Sequence, residues 1–250
     1  MSVTLSLAGR RALVSGAGRG LGRGIALALA EAGADLVLLS RTRDELEEVA
    51  ALARAAGADA RVVVCDVTDD ASVAAAIEAA PPVEILVNNA GTNIPKPFAE
   101  ATIADIDTVL GVNVRSVVVL TSAVVRRWLR DGTRGSIVNI SSQMGHVGAP
   151  RRVLYCTSKH AIEGFTKALA VELAPDGIRV NAVAPTYVET ALTAPFLADP
   201  AFRADVISRI PLGRVGRVED ITTAVVFLAS DAAGLITGSS LLIDGGYTAQ

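Results

Sequence analysis

The feature of this chain that most constrains its fold is a regular alternation of short apolar runs with longer helix-forming stretches. Each apolar run is rich in β-branched residues and is about as long as a strand buried on both faces. The predicted strands are Arg11–Ser15, Asp35–Leu39, Arg61–Cys65, Glu84–Val87, Ser136–Ile140, Ile178–Val183 and Ser240–Ile243. The predicted helices between them are Gly22–Ala32, Asp44–Ala56, Ser72–Ala80, Ile103–Arg130, Leu154–Ala174 and Val218–Ser230. This alternation predicts an α/β fold, a doubly wound parallel sheet of seven strands with helices on both faces.

Right-handed crossovers in such a sheet place the loops after the strands along one edge, where ligands bind. The chain has 250 residues, of which 51% are hydrophobic, and a net charge of -3. These values exclude a disordered chain and predict one globular domain over residues 1–250. A pI near 5.5 argues against a nucleic-acid partner, because nucleic-acid binding requires a basic face.

Compartment and membrane association are predicted from local composition. The densest apolar run, Val117–Val125, is about half of a roughly 20-residue membrane span, so we expect no transmembrane segment. Met1–Leu5 has no basic residues before an apolar core and does not resemble a signal peptide. With only Cys65 and Cys156, we expect reduced thiols and a cytoplasmic protein.

The turn after the first predicted strand is rich in glycine, with Gly16, Gly20 and Gly22 spaced as G-x-x-x-G-x-G. This spacing differs from the G-x-G-x-x-G fingerprint, and glycine clusters also form ordinary tight turns. However, the loop lies between the first strand and the first helix. There, bare backbone and the positive end of a helix can bind a pyrophosphate.

The end of the second predicted strand bears on the choice of dinucleotide. An acidic residue there favours NAD, whereas an arginine accommodates the 2′-phosphate of NADP. Here the strand continues into Ser40 and Arg41, with no carboxylate before Asp44, and Arg19 of the glycine loop can reach the same phosphate. Arginines are often only solvated surface charges, but two at this edge favour NADP(H), with NAD(H) still possible.

A tyrosine and a lysine one helical turn apart form a candidate acid–base pair. Tyr155 and Lys159 share one helix face, and an ammonium beside a phenol lowers the phenol pKa towards neutrality. Ser142, just past the strand Ser136–Ile140, can hold a substrate carbonyl oxygen. A Tyr-x-x-x-Lys pair also occurs by chance. However, lysine is scarce in this chain, and its retention at position 159 suggests that a compact ammonium is required there.

Taken together, these motifs resemble the short-chain dehydrogenase/reductase family, in its short form, over essentially the whole chain. The matching positions are Gly16, Gly20, Gly22, Asp66, Asn88–Gly91, Asn113, Ser142, Tyr155, Lys159, Asn181–Pro185 and Asp244–Gly246. Ser15 stands where the family usually has threonine, and Thr186 replaces a common glycine. The resemblance implies a Rossmann-type sheet and an oxidoreductase.

The resemblance also implies roles for individual residues. The implied catalytic set is Asn113, which would hold a water in a proton relay, Ser142, which would orient the substrate oxygen, Tyr155, the general acid or base, and Lys159. Lys159 would lower the pKa of Tyr155 and bind the nicotinamide ribose together with it. Further implied cofactor contacts are Leu21, Asp66, Val67, Asn89, Ala90, Gly91, Pro185, Val188 and Thr190.

The substrate is left open by the sequence. The segment 189–209 is where family members differ most, and Gln143, Met144, His146 and Tyr187 are candidate substrate contacts near the expected cleft. Two histidines without matching ligands predict no metal site. The apolar predicted helix 107–130, which contains Trp128, is similar to helices that assemble family members into homotetramers.

Three functions remain as hypotheses at this point. The first is an NADP(H)-preferring carbonyl reductase or alcohol dehydrogenase acting on a small-molecule substrate. The second is an NAD-dependent sugar or polyol dehydrogenase, because Ile210–Gly216 is similar both to 3-oxoacyl-carrier-protein reductases and to such dehydrogenases. The third is a non-catalytic dinucleotide sensor, which the intact acid–base residues disfavour.

Overall fold

The structure is a computed structural model that describes residues 5–191 and 193–250. Met1–Thr4, on which the expectation about a signal peptide rests, lie outside the described residues. Leu192, within the segment expected to vary with the substrate, also lies outside them.

In the described part of the chain, seven strands form one parallel sheet in the order β3-β2-β1-β4-β5-β6-β7. The strands are β1 Arg11–Ser15, β2 Asp35–Ser40, β3 Ala60–Val64, β4 Ile85–Asn88, β5 Ser136–Ile140, β6 Arg179–Pro185 and β7 Ser240–Ile243. The order reverses between β1 and β4, which opens a crevice at their carboxyl ends. The predicted doubly wound sheet is confirmed, with strand ends shifted by one or two residues.

Helices cover both faces of this sheet. They are α1 Gly20–Glu31, α2 Arg43–Ala55, α3 Asp70–Ala79, α4 Ile103–Leu110, α5 Ser116–Asp131, α6 Val153–Leu173, α7 Ala194–Leu197, α8 Pro200–Ser208 and α9 Val218–Ala229. The long helix predicted over 103–130 is interrupted by a π-helical turn at Gly111–Arg115. The two short helices α7 and α8 were not predicted, because four and nine residues carry too little apolar periodicity.

Two large apolar clusters fix the helices to the sheet. One contains buried side chains of α1, α2 and α9, and the other contains those of α3, α5 and α6. Local signals start and end these helices as expected. Asp69 accepts a hydrogen bond from the Ala71 N–H at the start of α3, and Gly33 and Gly57 follow α1 and α2 with φ of 96° and 98°.

A third, smaller apolar cluster lies over the carboxyl edge of the sheet. Its buried members are Leu197, Val206, Ile210 and Val215, with Tyr187, Phe202, Ile207 and Tyr247 packed against them. We refer to residues 193–215, which carry the buried members, as the cover. The cover closes one side of the crevice, and it includes the two helices that sequence periodicity did not predict.

One helical run passes a length and composition test for a membrane span. Ile103–Asp131 is 29 residues long with a mean hydropathy of 1.8 in its most apolar window, which is more apolar than the sequence expectation allowed. In this fold, 44% of that window is buried inside the protein, and a core helix passes the same test.

Candidate active site

A cavity of about 240 Å³ lies in the crevice at the carboxyl ends of β1, β4, β5 and β6. We call it the central cavity. Its walls include Leu21 from the start of α1, Asn89 and Gly91 after β4, Ser142 after β5, and Tyr155 and Lys159 on α6. Residues as far apart in the chain as Leu21 and Phe196 thus face one space, as expected for a doubly wound sheet.

Three of the four residues predicted to be catalytic, Ser142, Tyr155 and Lys159, meet in this cavity. The Ser142 hydroxyl accepts a hydrogen bond from the Met144 N–H at 3.1 Å, and this bond orients its oxygen. The Lys159 ammonium donates to the Ile140 carbonyl at 2.8 Å and lies 5.5 Å from the centre of the Tyr155 ring. The Ser142 and Lys159 side chains are therefore each held by a backbone group, with the Tyr155 ring beside the ammonium.

The electrostatics of Tyr155 and Lys159 differ from the expectation in one respect. Burial raises the pKa of Tyr155 above its ordinary value. A hydrogen bond with Ser142 and the charge of Arg152 oppose this shift, and Lys159 does not contribute. Burial lowers the pKa of Lys159 to about 8, with Glu163 opposing. Burial is thus the main influence on the Tyr155 pKa in this structure, where the Lys159 ammonium donates to a backbone carbonyl rather than to the phenol.

Asn113 lies in the π-helical turn and is almost fully buried. Its amide oxygen accepts from the Thr92 N–H at 2.8 Å, and its amide nitrogen donates to the Thr92 carbonyl and to the Ser158 hydroxyl. The side chain therefore ties the loop after β4 to α6 and has no spare donor for a water. A water bound by this side chain would have to donate to the amide oxygen, which has a second lone pair.

The glycine loop is fixed to β4 by two polar side chains. The Ser15 hydroxyl accepts from the Asn89 and Ala90 N–H groups, each at 3.1 Å, and the Asn89 amide donates to the carbonyls of Ser15 and Gly16. A β-carbon on Gly22 would lie 2.1 Å from the Gly16 carbonyl oxygen, so only glycine fits there. Serine in place of the more usual threonine at position 15 preserves these bonds.

The start of α1 presents free donors to the crevice. Arg19 occupies the N-cap without a side-chain cap, and the first turn of the helix contains no acidic residue. Gly20 has a φ of +56°, and a β-carbon there would approach only Thr190, at 3.8 Å. Uncapped N–H groups and the positive helix end therefore fit a bound pyrophosphate.

Two positive charges, on Arg19 and Arg41, lie near the end of β2. A negative charge, on Glu45, lies beside Arg19, and the sequence analysis did not consider it. Arg41 is exposed, and no described carboxylate lies within 4 Å of it. Asp66 is near enough for the charge of Arg41 to help lower its pKa. Arg19, in contrast, pairs with Glu45 of α2 at 3.7 Å. A β-carbon on Gly18 would lie 2.8 Å from a Glu45 oxygen and 3.3 Å from the Ser40 hydroxyl.

The residues predicted to flank the two ends of a dinucleotide lie on either side of the crevice. After β3, the Asp66 carboxylate accepts from the Thr68 N–H and hydroxyl, and these bonds lower its pKa; Val67 packs on the second apolar cluster. After β6, Pro185, Val188 and Thr190 line the central cavity. The Val188 carbonyl already accepts a hydrogen bond from the Thr193 hydroxyl.

Three of the four candidate substrate contacts line the central cavity. Gln143 is 1% exposed, and both polar atoms of its side chain lack hydrogen-bond partners within the described chain. Met144 and Tyr187 also face the cavity. His146 does not, which contradicts the expectation: its Nε2 lies 3.2 Å from Glu163 and 3.1 Å from Ser240, so the ring is held outside the cavity.

A second cavity of about 360 Å³ adjoins the first and is partly enclosed by the cover. We call it the outer cavity. Arg152, Tyr187 and Phe196 line both cavities, so these three side chains form their boundary. Sequence reasoning missed Arg152 and Phe196. The one signal in the sequence was the position of Arg152, three residues before Tyr155 and just ahead of the predicted helix.

Comparison with known proteins identifies the family. The family described as enoyl-(acyl carrier protein) reductase has a profile that matches residues 16–248. Mouse L-xylulose reductase is 40% identical over 245 residues, which are 98% of this chain and 99% of that protein. The crystal structure of a short-chain type dehydrogenase/reductase from Mycobacterium marinum is 38% identical with a TM-score of 0.94, covering 99% of this chain and 98% of that one.

This chain is a short-chain dehydrogenase/reductase. The family and the oxidoreductase class expected from the motifs are therefore confirmed. A gluconate 5-dehydrogenase from Burkholderia cenocepacia, solved in complex with NADP and tartrate, is 36% identical with a TM-score of 0.94, covering 99% of this chain and 98% of that one. No cluster of three or more potential metal ligands occurs among residues 5–191 and 193–250.

Proposed function

We propose that this short-chain dehydrogenase/reductase is an NADP(H)-preferring enzyme that interconverts a ketone and a secondary alcohol. The observation that carries the proposal is the convergence of Ser142, Tyr155 and Lys159 in a cavity that begins at the uncapped start of α1. The names of its relatives support it, since L-xylulose reductase is a ketose reductase by name and the Burkholderia enzyme was solved with NADP.

The residues of the crevice fit the dinucleotide. Gly16, Gly20, Gly22 and the first N–H groups of α1 bind the pyrophosphate. The remaining contacts are Arg19, Ser40 and Arg41 for the 2′-phosphate, Asp66 and Val67 for the adenine, Asn89, Ala90 and Gly91 for the ribose side, and Leu21, Tyr155, Lys159, Pro185, Val188 and Thr190 for the nicotinamide side. The bound cofactor supplies or accepts the hydride.

The protein's own residues handle the proton and the orientation of the substrate. The Ser142 hydroxyl holds the substrate oxygen, while Tyr155 donates the proton in reduction and accepts it in oxidation. Because burial raises the pKa of Tyr155, the phenol is protonated at neutral pH, which suits the reductive direction. Lys159 supplies positive charge behind the phenol, and Asn113 holds the loop and α6 in register.

The second cofactor candidate is NAD(H), and one observation favours it. The Glu45 carboxylate lies beside Gly18 and Ser40, where an acidic group can bind a ribose hydroxyl. Against it, Glu45 is already paired with Arg19, and Arg41 has no described carboxylate within 4 Å. The balance of charge at this edge therefore favours the 2′-phosphate.

The assembly and compartment are part of the same proposal. Residues 1–250 form one catalytic domain, which assembles as a homotetramer in the cytoplasm. Exposed apolar side chains on α5 and β7, Val118, Leu129, Leu241 and Leu242, support association between copies. Two buried free cysteines, Cys65 and Cys156, are consistent with a reducing compartment.

Substitution of Tyr155 by phenylalanine tests the proposed mechanism. We expect Tyr155→Phe to lose at least about 100-fold in ketone reduction, the lower end of the effect of a general acid, with little change in NADPH affinity. Steady-state rates and fluorescence titration of NADPH measure the two effects. Wild-type activity in this variant would remove Tyr155 from the mechanism.

A further inference from the structure

The Arg152 guanidinium is enclosed at the boundary between the central and outer cavities, and no carboxylate among residues 5–191 and 193–250 forms an ion pair with it. Its residue is 8% exposed, and its Nη1 atom has no hydrogen-bond partner within the described chain. The Phe196 ring, whose centre is 5.5 Å from Cζ, and the Tyr187 hydroxyl lie against it. A buried, unpaired charge is costly, so a cavity that retains one is suited to an anionic ligand.

The other charges around the outer cavity reinforce this polarity. Among the described residues that line it are Arg151, Arg152 and Arg209, with Asp205 as the one acidic residue of that set. The Asp205 carboxylate is already paired with Arg209 at 2.9 Å, which leaves no acidic group there to neutralise Arg152. The boundary between the cavities is therefore electropositive.

Arg152 is also close to the reacting hydroxyl. Its charge acts to lower the pKa of Tyr155 and that of Tyr187, although burial is the larger influence on both and raises them. A ligand whose carbonyl reaches Ser142 and Tyr155 can therefore place a second group against Arg152. The backbone of Arg152 is fixed at the start of α6, because its carbonyl accepts a hydrogen bond from the Cys156 N–H at 2.8 Å.

Building on the proposed function, we propose that Arg152 binds a carboxylate of the substrate, so that the enzyme acts on keto acids and hydroxy acids of the sugar-acid type. A planar, singly charged carboxylate matches one edge of a guanidinium. A phosphate carries up to two negative charges, and the single charge of the Arg152 guanidinium balances only one of them. Neutral ketoses leave the charge of Arg152 without a partner.

A matched trio of ketoses tests the proposal. 5-Keto-D-gluconate, L-sorbose and L-sorbose 6-phosphate share one carbon skeleton and differ only in the terminal group: a carboxylate, a hydroxymethyl or a phosphate. With saturating NADPH, we expect kcat/KM for the keto acid to exceed that for either other sugar by about 10-fold or more, mainly through KM. Arg152→Gln is expected to remove this preference, and Arg152→Lys to restore part of it.

The controls separate the possible failures. Arg61→Gln removes one exposed positive charge on β3, far from both cavities, and should keep the wild-type preference. NADPH titration and thermal unfolding show whether each variant is folded. An equal loss of kcat for all three sugars in Arg152→Gln would mean that Arg152 acts only on Tyr155, which overturns the proposal, as would a wild-type preference for sorbose or its phosphate.

A neutral reporter ketone, 2,3-butanedione, distinguishes failure of this inference from failure of the proposed function. Reduction of butanedione without reduction of the keto acid overturns the assignment of Arg152 and leaves the ketone reductase in place. If neither the butanedione nor any sugar is reduced with NADPH, the proposed function itself is wrong.

Discussion

At the scale of single residues, the central cavity contains two buried titratable groups, and burial disfavours the charged form of each. Tyr155 and Lys159 share this burial, but it acts in opposite directions: it raises the pKa of the phenol and lowers that of the ammonium to about 8. Lys159 is thus close to losing its charge just above neutral pH. The positive charge of Lys159 beside Tyr155 therefore changes within the pH range of ordinary enzyme assays.

Lys159 should titrate well below an ordinary lysine. Since the chain has only three lysines, selective ¹³C labelling of lysine gives three side-chain signals. We expect the Lys159 signal, assigned with Lys167→Arg and Lys96→Arg, to titrate with a midpoint of about 8. A midpoint near 10.5 would contradict the effect of burial.

The same shift has a consequence for stability, and its sign follows from proton counting. Between about pH 8 and 10.5 the unfolded chain binds more protons at position 159 than the folded one. The contribution of Lys159 to the free energy of unfolding therefore rises with pH across that window. Below pH 8 the full cost of burying the charged ammonium destabilises the fold.

Arg41 should discriminate between the two nicotinamide cofactors. We expect Arg41→Asp to weaken NADPH binding at least 10-fold, about 1.4 kcal/mol, and to change NADH binding by no more than about 2-fold, because only NADPH carries the 2′-phosphate. Titrations at one salt concentration measure both. Arg61→Asp on β3 makes the same charge change elsewhere, and equal losses for both cofactors in Arg41→Asp would mean that Arg41 is only a surface charge.

At the scale of secondary-structure elements, tight contacts between glycine and large side chains set the spacing of the layers. The Trp128 ring of α5 is buried, and its Nε1 donates to the Val83 carbonyl at 2.6 Å. A β-carbon on Gly135, just before β5, would lie 2.4 Å from this ring. The helix and the strand thus approach as closely as a glycine allows.

Gly135→Ala should therefore destabilise the protein. Because the indole is anchored by its hydrogen bond, we expect a loss of about 1–3 kcal/mol in the free energy of unfolding, as for other overpacked cores. Urea denaturation measures it. Gly164→Ala is the matched control, since that exposed glycine of α6 has open space around it and alanine favours helix. Equal stabilities for the two variants would show that Trp128 moves aside at little cost.

Elements and site residues differ in how far the sequence could predict them. The strands follow from apolar runs, the pair Tyr155 and Lys159 from its spacing of one helix turn, and Ser142 from its place just after a predicted strand. The partners of His146 do not: Glu163 and Ser240 are 17 and 94 positions away, so only the folded chain shows that they hold its ring outside the cavity. The same applies to Arg152, whose burial depends on Phe196 of the cover.

At the scale of the whole molecule, apolar side chains remain on the surface in two places. Val118 and Leu129, 39% and 47% exposed, are separated by about three turns of α5 and lie on one side of it. Leu241 and Leu242, 39% and 40% exposed, lie on the edge strand β7. Together these patches suit a symmetric assembly with two kinds of contact.

Light scattering should show a particle of four chains of 25.7 kDa each. We expect the double substitution Val118→Asp and Leu129→Asp to lower this mass, because carboxylates would be buried between copies. Leu52→Asp, at an exposed leucine of α2, is the control and should leave the mass unchanged. A monomeric wild-type protein at micromolar concentration would contradict the proposed tetramer.

The cover has an apolar cluster of its own, separate from the two that hold the sheet. Substitutions in residues 193–215 can therefore reshape the outer cavity while the packing beneath Ser142, Tyr155 and Lys159 stays as it is. Selection can then act on the substrate and on the chemistry almost independently. After a gene duplication, changes confined to the cover, about one-tenth of the chain, can therefore alter which substrate is bound while the reaction at Ser142, Tyr155 and Lys159 stays the same.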